Sequence, residues 1–384
     1  MQKVFIVAAA RTPIGKFGGL LKNKTAVELA TIVIKSLLLR SKIAASQIDE
    51  VYMGNVLQAG EGPNPARQAS LLAGLPISVP ASTINDVCGS GLQAINLSAK
   101  LIASGFNDLI LVGGMESMSN APFLLSDHRF GQKLGNEKLE DGLLRDALVD
   151  PIAGIHMGIT AENIAEKYHI SRQDMDAYSL LSHQRAVAAD QHGAFNDELI
   201  SLAEIKKDQA PRTDTSLEQL SKLKTVFKTD GKVTAGNASG INDGAAGVIL
   251  ASEKKVAELG LSPLAEWQFG NIVGVDPEIM GIGPVFAIRD LYEKTGLADA
   301  DIDFYELNEA YAAQVLADVQ VLNLDLAKVN PNGGAIALGH PVGASGARIL
   351  VTLVYDLIHG NRKRGIASLC VGGGMGLSTL IKRL

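Results

Sequence analysis

Residues 85–119 read NDVCGSGLQAINLSAKLIASGFNDLILVGGMESMS, and three patterns follow one another along them. A glycine-flanked turn around Cys88 comes first. Leu92, Ile95, Ala99 and Ile102 then recur at helical spacing, and DLILVGG closes the stretch as an unbroken apolar run. Apolar residues three or four apart form one stripe of a helix, whereas a short apolar run bounded by glycine reads as a strand buried on both faces. Strands and helices in this alternation imply parallel pairing and an α/β fold.

The same sentence is written twice in the chain. ASLCVGGGMGLS (367–378) echoes LILVGGMESMS (109–119), and each follows a helix opened by a glycine turn, GASG (343–346) and CGSG (88–91). Because the strand–helix context repeats with the glycines, the echo reads as an internal duplication. Outward from it, KVFIVAAA (3–10) and EVYMGNVLQ (50–58) are strand patterns, and TAVELATIVIKSLLLR (25–40) is a helix with Ala26, Leu29, Val33 and Leu37 along one side. The alternation resumes at GAAGVILASEKKVAELG (244–260) and continues to the end. Between about Ser119 and Ala238 the strand patterns vanish. That region holds loops and two helical stretches, the second with Ser171 and Asp174 placed for a capping box, and it reads as an insertion over the core.

The chain has 384 residues, 47% of them apolar, enough for one large or two to three smaller domains. Two cysteines form neither a disulfide framework nor a four-thiolate metal site, so both read as free thiols in a reducing compartment. The VFIVAAA run is too short to span a membrane and lacks the charged flank of a leader. The terminal IKRL has Lys382 where a peroxisomal address needs a small residue. A soluble cytoplasmic protein is the expectation. A net charge of −6 argues against general nucleic-acid binding. One stretch departs from it: Ile205–Lys232 carries seven basic residues (Lys206, Lys207, Arg212, Lys222, Lys224, Lys228, Lys232) against four acidic. It reads either as a solvated loop or as a patch for an anionic ligand.

Cys88 stands where a helix begins, a position whose dipole and free N–H groups favour thiolate, and Gly89 and Gly91 let a substrate and backbone approach closely. An inert core cysteine is the other reading. Among seven histidines, His340 alone lies in a glycine-dense turn, NGGAIALGHPVGASGAR (332–348), which suits a functional base. Asn308 ends the strand pattern DIDFYELN and is either a ligand-facing residue at a strand end or a helix N-cap.

These turns, with VCGSGLQAI, GGMESMS, HMGITAEN, TAGNASGINDGAA, ELNEAYAAQ, NGGAIALGHPVGASGAR and CVGGGMG in that order, resemble the thiolase superfamily along essentially the full chain. The resemblance implies a duplicated five-layered α/β/α/β/α core with an inserted loop domain. Its parts would be an N-terminal domain (1–118 plus 242–262), a loop domain (119–241) and a C-terminal domain (263–384). It implies that Cys88 accepts the acyl group, His340 activates it, and Cys370 is the second acid/base. Asn308 would hold a water that forms an oxyanion hole with His340, and the N–H groups of Cys88 and Gly372 a second one. His156 and Met157 match the acetoacetyl-type branch, as does CGSG, whereas Tyr311 stands where the family often has Phe. The CoA contacts map onto Leu148, Arg212, Phe227, Ala235, Ala238, Ser239 and Met280, which favours the ligand reading of the basic stretch. The implied activity is acetyl-CoA C-acetyltransferase: reversible condensation of two acetyl-CoA to acetoacetyl-CoA and CoA. A broader 3-ketoacyl-CoA thiolase and a non-catalytic acyl-CoA-binding subunit are the alternatives. No metal or cofactor is expected, CoA thioesters being substrates, and a homotetramer of tight dimers bridged through residues 120–140 is.

Overall fold

The structure, a computed structural model, describes residues 2–126, 128–203 and 205–384. The first half runs β1 (Val4–Arg11), β2 (Gly15–Lys16), α1 (Ala26–Ser41), β3 (Glu50–Gly54), α2 (Pro65–Leu72), β4 (Ala81–Ile84), α3 (Ser90–Ala103) and β5 (Leu109–Ser117). Two short strands, β6 (Phe123–Leu124) and β7 (Glu140–Asp141), then pair only with each other, ahead of α4 (Met157–Lys167), α5 (Arg172–His192) and α6 (Leu217–Ser221). The core resumes with β8 (Asn242–Ser252) and α7 (Glu253–Leu259). It ends with β9 (Ala265–Gly274), α8 (Gly283–Thr295), β10 (Phe304–Leu307), α9 (Ala312–Leu322), α10 (Ala335–Leu338), α11 (Val342–His359), β11 (Arg364–Val371) and β12 (Met375–Arg383).

Local chemistry accounts for the helix ends. Thr25 with Glu28 and Ser171 with Asp174 form capping boxes that satisfy the free N–H groups of α1 and α5. Gly193, in the left-handed region, terminates α5. Ala26, Leu29, Val33 and Leu37 of α1 are buried, as the spacing predicts.

Hydrogen bonds link the strands in the order β10-β11-β12-β9-β1-β8-β5-β3-β4. In the first half β3 runs parallel to β5, β5 antiparallel to β8, and β8 antiparallel to β1. Strands β10, β11, β12 and β9 repeat those senses in the second half. The echo is therefore a property of the topology, since β5 and β11 occupy equivalent places. Val4–Ile6 against Ala265–Trp267 joins the halves. Helices α3 and α11 pack on each other between them, while α1 covers the outer face of one half and α8 that of the other. The order is α/β/α/β/α. Leu37, Val51 and Ile249 fill the outer interface of the first half, Leu92, Leu350 and Leu369 the centre, and Ile288, Leu291 and Leu380 the far side. Although α11 has the length and hydropathy of a membrane span, it is the central core helix, 83% buried.

The glycines beside Cys88 serve this packing, the close backbone approach that the sequence suggests. A Cβ on Gly91 would sit 2.8 Å from the Ala347 nitrogen, and one on Gly346 2.6 Å from the Leu92 nitrogen. Only glycine lets the backbones of α3 and α11 touch there. A Cβ on Gly89 would lie 2.9 Å from Val371 Cγ2. Among the described residues, 119–241 adds no strand to the main sheet, and α4 and α5 pack on α9.

Candidate active site

The turn from β4 to α3 is held in a conformation its residues do not prefer. Val87, β-branched, has φ +46°, a sparsely populated region that costs about 1–3 kcal/mol. Ser90 compensates: its hydroxyl donates to the Val87 carbonyl (2.6 Å) and accepts from the Asp86 N–H (2.9 Å), while Asn85 Oδ1 accepts from the Val87 N–H. The turn presents Cys88 so that its own N–H and that of Gly372 both reach its sulfur. Burial nevertheless pushes the thiol up to about 12, outweighing those two N–H groups. The helix-start argument for a resting thiolate is thus corrected. Cys88 lies two residues ahead of α3, and desolvation dominates.

His340 is fixed from three sides. Gly339, at φ +114°, passes so close to Asn242 that a Cβ there would lie 2.5 Å from its Cγ. Asn242 Oδ1 accepts from the His340 N–H (2.9 Å). Ser345 Oγ donates to the Pro341 carbonyl (2.8 Å) and sits 2.5 Å from His340 Nδ1. With its proton directed to Pro341, Ser345 accepts one from Nδ1, which assigns the tautomer and leaves Nε2 unprotonated. Asn308 Nδ2 donates to Nε2 at 3.4 Å, a weak bond. Burial, with the Arg348 cation, lowers the ring to about 3, so His340 is a neutral base.

Asn308 stands at the C-terminal end of β10, its N–H on the Ser368 carbonyl, and does not cap α9, whose N-cap is Tyr311. Its buried Oδ1 has no hydrogen-bond partner among the described residues. Cys370, on β11, is buried, and its thiol is pushed well above the ordinary value by burial, then by Cys88 and Asp318.

A cavity of about 380 Å³ holds Cys88 and His340; Asn308 and Cys370 lie behind its wall, Asn308 against His340 and Cys370 near enough to Cys88 to feel it electrostatically. Cys88, His340, His156, Met157, Phe227 and Tyr311 line its reactive end, and Leu148, Ala235, Ala238, Ser239 and Met280 also lie on its wall. His156 stacks on Phe227 at 4.6 Å and accepts from the Gly158 N–H through Nδ1, capping α4. Arg212 lies instead in an adjoining cavity of about 300 Å³, which shares Ala235, Ala238, Gly240 and Ile241 with the first. Of the seven basic residues between 205 and 232, Arg212 alone lines either cavity. Lys207, Lys222 and Lys228 pair with Asp190, Glu218 and Glu166, and Lys232 donates to the carbonyls of Ala165 and Ile170. The basic stretch is mostly a solvated, paired surface, and Lys16, which sequence reasoning passed over, stands with Arg212.

Sequence reasoning also missed Ser345, Asn242, Glu116 and Glu309. Glu309 accepts from Tyr178, Ser182, Asn330 and the Ile336 N–H at 2.7–3.0 Å, tying the exit of β10 to α5 and α10. Glu116 accepts from the N–H groups of Val56, Leu57 and Gly343 and from Asn55, joining the end of β3 to the start of α11. For Glu116 the available signal was a lone carboxylate at the end of an otherwise apolar strand. In the interior such a group persists only when its oxygens are filled by donors.

Residues 4–254 match the model of the thiolase N-terminal domain, and residues 261–383 that of the C-terminal domain. The chain is 49% identical over 391 residues to a probable acetyl-CoA acetyltransferase of Escherichia coli, covering 100% of both. It is 48% identical over 392 residues to the acetyl-CoA acetyltransferase of Allochromatium vinosum, again covering 100% of each. Among solved structures, human mitochondrial 3-ketoacyl-CoA thiolase in complex with CoA superposes at TM-score 0.98 with 46% identity, over 100% of this chain and 98% of that one. A thiol, an imidazole and a second thiol gathered at the meeting of two duplicated halves thus coincide with a full-length match, and the chain belongs to the thiolase family.

Proposed function

We propose that this enzyme is an acetyl-CoA C-acetyltransferase, condensing two acetyl-CoA into acetoacetyl-CoA and CoA through an acetyl-Cys88 thioester. The observation that carries the residue assignment is the unprotonated Nε2 of neutral His340, only weakly held by Asn308, in the cavity that holds Cys88. Cys88 attacks the thioester carbon as its proton passes to Nε2. The bond from carbon to CoA sulfur breaks, and Cys370 protonates the departing sulfur, becoming a thiolate opposite the imidazolium. A second acetyl-CoA gives its methyl proton to Cys370. The resulting carbanion attacks the acetyl-Cys88 carbonyl, and the released Cys88 sulfur recovers its proton from His340. Cys88, His340 and Cys370 thus end the cycle in the protonation states in which they began, the methyl proton of the second acetyl-CoA replacing the one that left on CoA.

Two donor sets serve the two oxyanions. The N–H groups of Cys88 and Gly372 face the acetyl carbonyl, and His340 with Asn308 faces the enolate oxygen. One such preorganised donor contributes about 2.7–4 kcal/mol of barrier lowering. Arg212 and Lys16 supply cations for the phosphates of CoA.

Exposure to acetyl-CoA followed by peptide mass mapping is expected to show acetylation at Cys88 in the native chain and none in Cys88→Ser. An acetyl-free native Cys88 would sink the assignment. The similarity to human 3-ketoacyl-CoA thiolase motivates a second reading, a broader chain range. Thiolysis rates across C4, C6 and longer 3-ketoacyl-CoAs decide between them, and comparable long-chain rates reject the acetoacetyl preference. We propose a homotetramer as well, because Phe130 and Leu134 of the 120–140 segment are 97% and 94% exposed. Light scattering of a Phe130→Asp, Leu134→Asp variant should then register a dimer.

A further inference from the structure

Tyr311 is one of three buried tyrosines, and its hydroxyl differs from the other two. The hydroxyl of Tyr178 donates to Glu309 (2.7 Å), and that of Tyr305 to Asp299 (2.7 Å). A buried phenol ordinarily finds such a partner. The Tyr311 ring is only 8% exposed, yet its hydroxyl makes no hydrogen bond among the described residues. The ring is not free to turn away. It stands edge-on to Phe227 at 6.4 Å, and its backbone bridges to Ala238. It lines the cavity with Cys88 and lies near enough to both thiols to feel each electrostatically. The unsatisfied donor therefore faces the space where an acyl group on Cys88 must lie.

We propose that the Tyr311 hydroxyl donates a hydrogen bond to an oxygen on the acyl chain, selecting short acyl thioesters that carry a hydroxyl or ether at C2 or C3 over saturated ones. This inference rests on the acyl-Cys88 reading. The physical ground is the largely apolar wall of the cavity that Tyr311 lines, to which Phe227, packed against it, and Met157, Leu144 and Met280 contribute. An acetyl group is small enough to leave a water on the phenol. A saturated chain of three or four carbons displaces that water and offers no acceptor, leaving a buried donor unpaired. An oxygen-bearing chain of the same size restores the bond. Sites built around such a donor discriminate against analogues that lack the acceptor.

The test compares native enzyme with Tyr311→Phe, measuring kcat/KM for acyl transfer to acetyl-CoA from isosteric donor pairs. These are 2-hydroxyacetyl-CoA against propanoyl-CoA, and 3-hydroxypropanoyl-CoA against butanoyl-CoA. The ratio of hydroxylated to saturated donor is expected to fall by about fivefold or more in the variant at one or both chain lengths. A smaller fall at both lengths overturns the proposal. A ratio separates this role from a general loss of packing, which would lower both donors together. If native Cys88 takes an acetyl group but the ratios do not move, only the Tyr311 assignment fails. If Cys88 takes no acyl group from any thioester, the underlying reading fails instead.

Discussion

Cys88 and His340 meet as a neutral thiol and a neutral imidazole, because burial disfavours either charge when it stands alone. Nucleophilicity then arises only as the proton crosses to Nε2 during attack. Alkylation of Cys88 by iodoacetamide should accordingly keep accelerating from pH 6 through pH 10, and a plateau near neutrality would contradict the neutral pair. Acid stability follows with a definite sign. The folded pKa of His340, about 3, lies below its ordinary 6.5, so between those values the unfolded chain binds the extra proton. Its contribution is complete above pH 6.5 and is lost as pH falls toward 3. The urea midpoint of the native enzyme should drop between pH 7 and pH 4.5 by more than that of His340→Asn. Asn308 offers a cleaner dissection of roles. Asn308→Ala should slow condensation by about 10²–10³-fold, one oxyanion donor's worth, while acetylation of Cys88 persists in mass spectra. Equal loss in both half-reactions would place Asn308 elsewhere in the cycle.

At the scale of elements, α3 and α11 decide whether those residues meet, since one follows the Cys88 turn and the other the His340 turn. Their backbones touch through Gly91 and Gly346, so even a methyl there collides with main chain rather than with a side chain that could rotate away. Gly346→Ala should cost about 1–3 kcal/mol in denaturant unfolding and reduce kcat in the same variant. A variant of native stability and activity would show that the helices can separate freely. The helices themselves were legible from the chain: the stripe Leu92, Ile95, Ala99, Ile102 is buried, and the Ser171–Asp174 box caps α5. Which segment approaches the glycines was not. A glycine beside a cysteine carries no local mark of whether substrate or another helix fills the space, because the neighbour lies some 255 residues away along the chain (Gly91 to Gly346).

For the whole molecule, duplication does the organising, and a buried charge network fastens the inserted region to it. Arg11, fully buried at the end of β1, pairs with Glu198 at 2.6 Å and with Asp208 at 2.7 Å. Removing one member strands the others without a counter-charge, so Arg11→Ala should destabilise the fold by about 3–5 kcal/mol. A change below 1 kcal/mol in urea unfolding would mean that water reaches the two carboxylates. The echo of 109–119 in 367–378 already announced two equivalent halves, and the motif residues Cys88, Asn308, His340 and Cys370 could be picked out one by one. Patterns of that kind are local, written in periodicity, turn chemistry and residue type. Protonation state, tautomer, the orphan hydroxyl of Tyr311 and the isolation of Arg212 from its basic neighbours were decided only by tertiary structure. Each depends on which atoms from distant segments exclude water around a group or supply its hydrogen bond, and that sum does not exist until the chain has folded.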